Sequence, residues 1–372
     1  MSISLTNAEI ERYKRQLGLK TFGLEGQKAL KKARILCIGM GGLGCPLSYY
    51  LTAMGLGRLG IVDGDIVDSS NLPRQILYKE QDIGRLKVEV AQQSLHAINH
   101  YVEIKAIAQK LDLKLALTLF PDYDLIIDGT DNFEAKYLIN DVCSELQKTF
   151  IYTSVYQFEG QLSLFSPGPQ SPCLRCLYPN PPTTGLIANC AENGIIAVVP
   201  GIFAMLQVLE IVKWLTGMKN SLINQLLNID LLSLHISKFH IRQDRYCQSC
   251  AGQMKADELT RPQNTSIGIE LESEGLIQIA ELKQWMEEKN LLILDVREPW
   301  EFQIDNLKGS LNIPMNEVQT RMEQLPRDKR IVVLCQTGRR SYVIMNLLKK
   351  YGFVEVKSLD GGLVAYRNNA SI

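Results

Sequence analysis

The stretch ARILCIGMGGLGCPLSYYLTAMGLGRLGIVDGD, residues 33–65, decides the fold. An apolar run is followed at once by Gly39, Gly41 and Gly44, then by a helix-length segment and a second apolar run that ends in Asp63. Strand, glycine turn, helix and strand in that order make a βαβ unit. Its glycines let a phosphate approach the helix N-terminus, and an acidic group closing the next strand hydrogen-bonds a ribose hydroxyl. Asp63 stands 19 residues past Gly44, where that group belongs. A tight turn beside an ordinary surface aspartate is the competing explanation. Together the glycines and Asp63 favour a nucleotide.

Working outward, the alternation continues through VEVAQQSLHAIN (88–99), VEIKAIA (102–108) and DLIIDGT (124–130), the pattern of a doubly wound α/β sheet. Residues 149–165 have strand composition around a glycine and are expected to form a hairpin, with a Pro-rich turn region at 166–182. Helical spacing returns at 202–215 and strand alternation at 226–241. The first domain is therefore placed at 1–252. Residues 253–273 are polar and aperiodic and read as a linker. A second α/β pattern occupies 274–372: the strand LLILDVRE (291–298), the turn GSLNIPM (309–315), the strand IVVLC (331–335), a helix from about Ser341, and the strand VEVKSL (354–359).

The bulk numbers agree with two globular cores. The chain has 372 residues, 46% hydrophobic and 22% charged, and 40 Lys and Arg balance 40 Asp and Glu. That balance gives no support to a nucleic-acid or membrane-surface role, so any phosphate site must be local. The N-terminus reads as an amphipathic helix without the marks of a secretory signal, and the most apolar stretch, 194–212, is broken by Pro200, Gln207 and Glu210. A soluble cytoplasmic protein is expected.

Charge separates a dinucleotide from ATP, because a triphosphate with magnesium needs several cations and a carboxylate. Asn71, Arg74 and Gln75 follow Asp63 in DGDIVDSSNLPRQ, Lys87 follows in GRLKVE, and Asp131 is expected to end a strand in IIDGTDN. Singly each is an ordinary surface residue. Their fall at strand and loop ends suggests a cluster, since open α/β sheets bind ligands at the carboxyl ends of their strands.

The nine cysteines include two CxxC pairs, Cys173 with Cys176 and Cys247 with Cys250, whose spacing suits a closed four-thiolate structural zinc site. Four unrelated buried cysteines are the alternative. Cys190 lies in the polar, glycine-containing segment TTGLIANCAENG and is a candidate second nucleophile, or else a half-buried loop thiol. Cys37, Cys45 and Cys143 read as packing residues. Cys335 closes a strand and opens CQTGRRS, a loop able to turn successive N–H groups onto one sulfur. Arg339 or Arg340 and the following helix N-terminus would favour an anion there.

The segments RYKRQ (12–16), GMGGLGC (39–45), DGDIVDSSNLPRQ (63–75) and DGTDN (128–132) closely resemble the MoeB/ThiF/HesA family, bacterial relatives of ubiquitin-activating enzymes. LLILDVREPWEF, GSLNIPM, CQTGRRS and LDGGLVAY resemble a rhodanese domain. The first resemblance implies a Rossmann-like adenylation domain whose mostly parallel sheet is extended by antiparallel strands. Gly41 and Gly42 would line the nucleotide loop, Asp63 would hold the ribose, and Asn71, Arg74 and Lys87 would contact phosphates. Asp131 would hold magnesium, Arg15 would enter the ATP site of a homodimer partner, and Cys190 would form a covalent link to the carrier or relay sulfur. The second resemblance makes Cys335 a persulfide carrier and Arg340 its loop arginine, although the domain has no histidine where that family usually places one.

Taken together, the resemblances imply ATP-dependent adenylation of the C-terminal glycine of a small ubiquitin-like sulfur carrier of the MoaD or ThiS type, ending in Gly-Gly, followed by thiocarboxylate formation. A persulfide donor such as a cysteine desulfurase would supply the sulfur. Two rivals are a zinc-containing NAD-dependent oxidoreductase, which leaves Arg74, Lys87, Asp131 and the Cys335 loop without a role, and a non-catalytic scaffold for carrier and donor.

Overall fold

The computed structural model of the protein describes residues 4–181, 194–219, 221–252, 255–260, 275–288 and 290–369, which fold as two compact units. The first holds the described residues up to 260. The second holds those from 275 onward.

Unit one opens with α1 (Asn7–Leu17) and α2 (Gly23–Lys32). Thr6 caps α1 by accepting the Glu9 N–H, while the Glu9 carboxylate accepts the Thr6 N–H. This reciprocal pair fixes where the expected amphipathic helix begins. The sheet core follows as β1 (Arg34–Ile38), α3 (Gly44–Ala53), β2 (Arg58–Val62), α4 (Lys87–Ile98), β3 (Glu103–Ile107), α5 (Leu113–Leu119), β4 (Leu125–Asp128), α6 (Phe133–Glu145) and β5 (Thr149–Tyr156). Its strands run parallel in the order β3-β2-β1-β4-β5. Ile35 to Ile38 and Leu125 to Asp128 are almost wholly buried on both faces, as strands covered by helices on either side must be. The hairpin of β5 with β6 (Glu159–Phe165) is antiparallel, and β7 (Gln225–Asp230) and β8 (His235–His240) continue it to the edge. The mostly parallel, antiparallel-extended sheet is thus present.

Between β6 and β7 lie the short α7 (Leu174–Leu177) and the long α8 (Val198–Thr216). By length and composition α8 would cross a bilayer, but half of its apolar window is buried within unit one. Phe203, Ala204 and Ile211 are inside, and two polar residues on the helix work within the protein. Gln207 donates to the Asp128 carbonyl, and Glu210 accepts the Leu222 N–H at 2.7 Å. The helix begins four residues before, and ends one after, its expected limits at 202 and 215. Unit one ends in α9 (Ala256–Thr260), so the stretch read as linker begins with a helical turn. Ala256 is buried there, and its N–H donates to Glu145 at the end of α6.

Unit two is a five-stranded parallel sheet in the order β11-β10-β12-β13-β9. In chain order it comprises β9 (Leu276–Ile277), α10 (Ile279–Met286), β10 (Leu291–Asp295), α11 (Pro299–Ile304), β11 (Leu311–Asn312), β12 (Arg330–Leu334), α12 (Arg339–Lys350), β13 (Val356–Leu359) and α13 (Gly362–Asn368). The sequence pattern missed β9 and read β11 as a turn, because two residues are too few for alternation to register. Helix α12 starts two residues ahead of Ser341, on Gly338 in the left-handed conformation (φ 89°).

One ion pair ties α6 to the CxxC turn. Arg175, between Cys173 and Cys176, donates to both carboxylate oxygens of the fully buried Asp141 at 2.8 and 2.7 Å. Removing one member of such a pair strands a buried charge. Arg175→Ala is expected to destabilise unit one by about 3–5 kcal/mol, read as a lowered urea midpoint with an unchanged slope.

Candidate nucleotide and sulfur sites

In unit one the chain passes from β1 outward through β2 and β3, then returns to β4 on the other side of β1. The loops after β1 and β4 therefore leave the same edge in opposite directions and open a crevice, where α/β sheets take ligands. These loops touch backbone to backbone. Gly39 has φ 92°, and a Cβ there would lie 2.8 Å from the Gly129 carbonyl oxygen. A Cβ on Gly44 would lie 2.0 Å from the Gly39 oxygen, so the turn closes only with glycine at both ends. The middle is roomier: a Cβ on Gly41 would meet nothing nearer than Gln75 Nε2 at 3.8 Å, and one on Gly42 would touch the Arg74 stem at 3.4 Å and Pro200 at 3.3 Å. The loop is a cradle with Arg74 and Gln75 at its wall. Among the described residues, the Oε1 of buried Gln75 has no hydrogen-bond partner, a polar atom that a ligand in the cradle could satisfy.

Asp63, at the end of β2, accepts the Met40 N–H at 2.7 Å and the Asp65 N–H at 2.8 Å, which ties it to the glycine loop. Burial raises its carboxyl above the usual value, against the pull of Lys87. Lys87 is itself buried and reaches Asp65 at 3.2 Å. Asn71 Oδ1 caps its own turn through the Asp68 N–H, leaving the amide nitrogen as the part not used by this cap. Arg74 is half-buried and donates to the Ser70 carbonyl. Asp131 is exposed, directly before Asn132, which caps α6 through the Ala135 N–H. An exposed carboxylate at the edge of the crevice suits magnesium, a hard cation that keeps most of its waters. Arg15 is exposed on α1.

Sequence reasoning overlooked what holds the Asp131 loop. Asp128 is fully buried and accepts from Thr130 N–H and hydroxyl and from Lys136 Nζ at 2.7 Å. Lys136 also donates to the Thr130 and Thr153 carbonyls, so all three of its protons are used. The available signal was a lysine four residues past a capping asparagine, on the apolar face of a helix.

The four CxxC sulfurs lie within 4.8 Å of one another, with Cys173 and Cys247 3.6 Å apart and Cys176 and Cys250 3.4 Å apart. Hydrogen bonding among the four thiols lowers Cys176 and Cys247 and raises Cys173 and Cys250. A soft four-sulfur set of this size fits zinc. Cys37, Cys45 and Cys143 are buried, and burial raises Cys37 and Cys45 to about 12, which suits inert packing thiols. Cys190 lies outside the described residues.

In unit two, Cys335 is fully buried at the end of β12 and accepts from the Gly338 N–H at 3.2 Å and the Ser341 hydroxyl at 3.4 Å. One backbone N–H and one hydroxyl thus face the sulfur, where several successive N–H groups were expected. The role of Arg340 differs from the expected one: its guanidinium binds both oxygens of Glu301 at 2.8 Å, with both side chains at most 10% exposed. Desolvation would raise the Glu301 carboxyl, but the Arg340 bonds and the Glu298 N–H bring it below its usual value. Arg340 thus anchors the loop to α11, with its charge matched by Glu301. Arg297, fully buried against Asp295, reaches Gln336 Oε1 at 3.2 Å and fixes the loop's other end.

Comparison with known proteins accords with this arrangement. The sequence matches the ThiF family over residues 13–250 and a rhodanese-like domain over 278–369. The chain belongs to the ThiF family. This ThiF-family chain is 36% identical over 379 residues to a probable adenylyltransferase/sulfurtransferase MoeZ of Mycobacterium tuberculosis, covering 98% of the chain and 94% of that protein. It is 35% identical over 385 residues to adenylyltransferase and sulfurtransferase MOCS3-1 of Drosophila pseudoobscura pseudoobscura, covering 97% and 84%. Crystal structures of E. coli MccB share its fold, one with ATP at a TM-score of 0.57 and 23% identity over 66% of this chain and 75% of that one. The ThiF-family protein is an enzyme of the adenylyltransferase and sulfurtransferase class, with Rossmann-like and rhodanese-like units.

The cradle leaves no room at Gly44. Gly44→Ala is expected to weaken ATP binding by at least about tenfold, since a shift of the loop loses backbone N–H donors worth roughly 1.5–3 kcal/mol each to a charged group. Equilibrium titration with a fluorescent ATP analogue reads the loss, and unchanged affinity would contradict the role assigned to the loop.

Proposed function

We propose that the enzyme adenylates the C-terminal glycine of a ubiquitin-like sulfur carrier and converts it to a thiocarboxylate with sulfur carried on Cys335. The observation that carries this reading is the convergence of the glycine cradle, Asp63, Arg74, Lys87 and the Asp131 loop on one crevice, in a chain that also holds a sulfur in an anion cradle. A zinc-containing dehydrogenase reading accounts for the cradle, Asp63 and the four cysteines, but leaves Arg74, Lys87, Asp131 and the Cys335 loop without a role.

In the first step a carrier carboxylate oxygen attacks the α-phosphorus of ATP, the bond to the bridging oxygen breaks, and pyrophosphate leaves with the electron pair. Asp63 would accept the ribose hydroxyls and Asn71 would donate its amide N–H to a phosphate oxygen, while Arg74 and Lys87 would balance phosphate charge as it redistributes. Asp131 would hold magnesium, which supplies charge neutralisation at the phosphates. Arg15, exposed on α1, would enter the site from a second copy of the chain. Val198, Ile202 and Leu209, exposed on one helix, offer apolar surface for that homodimer. The four cysteines would hold a structural zinc that pins α7 and the chain after β8.

In the second step the outer sulfur of a Cys335 persulfide attacks the acyl carbonyl and AMP departs. The resulting acyl–S–S–Cys335 link is cleaved by another thiol, which releases the thiocarboxylate and leaves a disulfide for an external thiol to reduce. Cys190 is the candidate for that thiol. A protein persulfide, as on a cysteine desulfurase, would reload Cys335 by thiol–persulfide exchange.

Pyrophosphate exchange into ATP, with purified carriers ending in Gly-Gly, is expected to depend on the carrier and to fall about 100-fold or more in Asp131→Ala. Exchange should survive in Cys335→Ser while thiocarboxylate, followed by mass spectrometry, is lost. No exchange with any carrier would return the dehydrogenase and scaffold readings. Metal analysis is expected to give about one zinc per chain for the wild type and much less for Cys247→Ser, with a lower melting temperature, because a four-thiolate site contributes folding energy directly.

A further inference from the structure

Behind the Cys335 cradle stands a second hydroxyl. Ser358, on β13, donates to Ser341 Oγ at 2.8 Å, and Ser341 Oγ lies 3.4 Å from Cys335 Sγ and 3.0 Å from the Gly338 carbonyl oxygen. Ser341, Ser358 and Cys335 are all fully buried. Ser358 reaches this place through the sheet: it pairs with Val333 of β12, two residues before the cysteine.

A serine hydroxyl has one proton and two acceptor lone pairs. Ser341 therefore has one proton and two acceptors within reach, the Gly338 carbonyl and the Cys335 sulfur. When the sulfur is neutral, the carbonyl is the better acceptor. When it is a thiolate, the charge-assisted bond to sulfur is the stronger. The Ser358 proton occupies a lone pair of Ser341 and polarises its O–H, since hydrogen bonds in a chain strengthen one another in a low-dielectric interior.

We propose that Ser358 is a positioning residue for sulfur transfer, acting through Ser341 to direct a hydroxyl proton onto Cys335 whenever its sulfur carries negative charge. The proposal rests on the sulfur-carrying role given to Cys335 above. With thiosulfate as donor, the Cys335 thiolate attacks the outer sulfur, the S–S bond breaks, and sulfite leaves with the electron pair. Cyanide then takes the outer sulfur as thiocyanate and returns the thiolate. Negative charge sits on the Cys335 side before loading and again at unloading, so a directed donor serves both half-reactions.

The test uses the full chain with two readouts: thiosulfate-to-cyanide turnover, and the rate at which iodoacetamide alkylates Cys335, followed by peptide mass spectrometry. Ser358→Ala is expected to lower kcat and the alkylation rate by about 5- to 10-fold, a fraction of a charged hydrogen bond, with KM for thiosulfate and the unfolding midpoint unchanged. Ser358→Thr, which restores the hydroxyl, should recover most of both. Ser341→Ala should lose at least as much, and adding Ser358→Ala to it should cost nothing further, because Ser358 acts only through Ser341. Wild-type rates in Ser358→Ala, or additive losses in the double variant, would overturn the proposal. A wild-type chain that turns over no sulfur would instead count against sulfur transfer, and the alkylation series would still decide whether the relay exists.

Discussion

Everything at the nucleotide site depends on a contact between two pieces of backbone. Gly39 and Gly129 meet with no space for a Cβ, and this closeness lets the loops leaving β1 and β4 share one crevice. Parallel pairing of β1 with β4 brings their ends to the same edge, and the reversal of strand order sends the following helices to opposite sides. Asp63 then reaches Met40 across the neighbouring strand end. A side chain at the contact would part the loops and separate the glycine cradle from the Asp131 turn.

Unit two repeats the device with different chemistry. Its strand order also reverses, between β10 and β12, and the loops after these strands carry Arg297 and Cys335. Arg297 is buried against Asp295 and holds Gln336, while Arg340 holds Glu301, so the loop after the cysteine is anchored at both its ends. Among the described residues, the direct donors to the sulfur are a backbone N–H and a hydroxyl. Neutral donors of this kind stabilise an anion without a counter-charge that would have to be displaced when sulfur is passed on.

The cations divide by burial. Lys136, Arg175 and Arg297 are nearly inaccessible and each meets a fully buried carboxylate, Asp128, Asp141 or Asp295. Such pairs hold loops in place, because parting them would leave a charge in a medium that solvates it poorly. Arg74 and Arg15 retain solvent access. Lys87 lies between these classes, buried yet reaching an exposed Asp65 at 3.2 Å.

The sequence by itself determined the βαβ order, the mostly parallel sheet, the Gly39-to-Gly44 turn with Asp63, the paired CxxC spacing and the Cys335 loop. All of these are local: strand and helix periods, glycine at a turn and ligand spacing are written within a few neighbouring residues. Only the tertiary structure decided which charges are free. That Lys136 serves Asp128, that Arg340 is matched by Glu301 39 residues away, and that Ser358 stands behind Ser341 depend on contacts between elements far apart in the chain. A lysine, arginine or serine looks the same in sequence whether it faces solvent, a phosphate or a buried carboxylate. Burial and partner distinguish these cases, and both are set by packing.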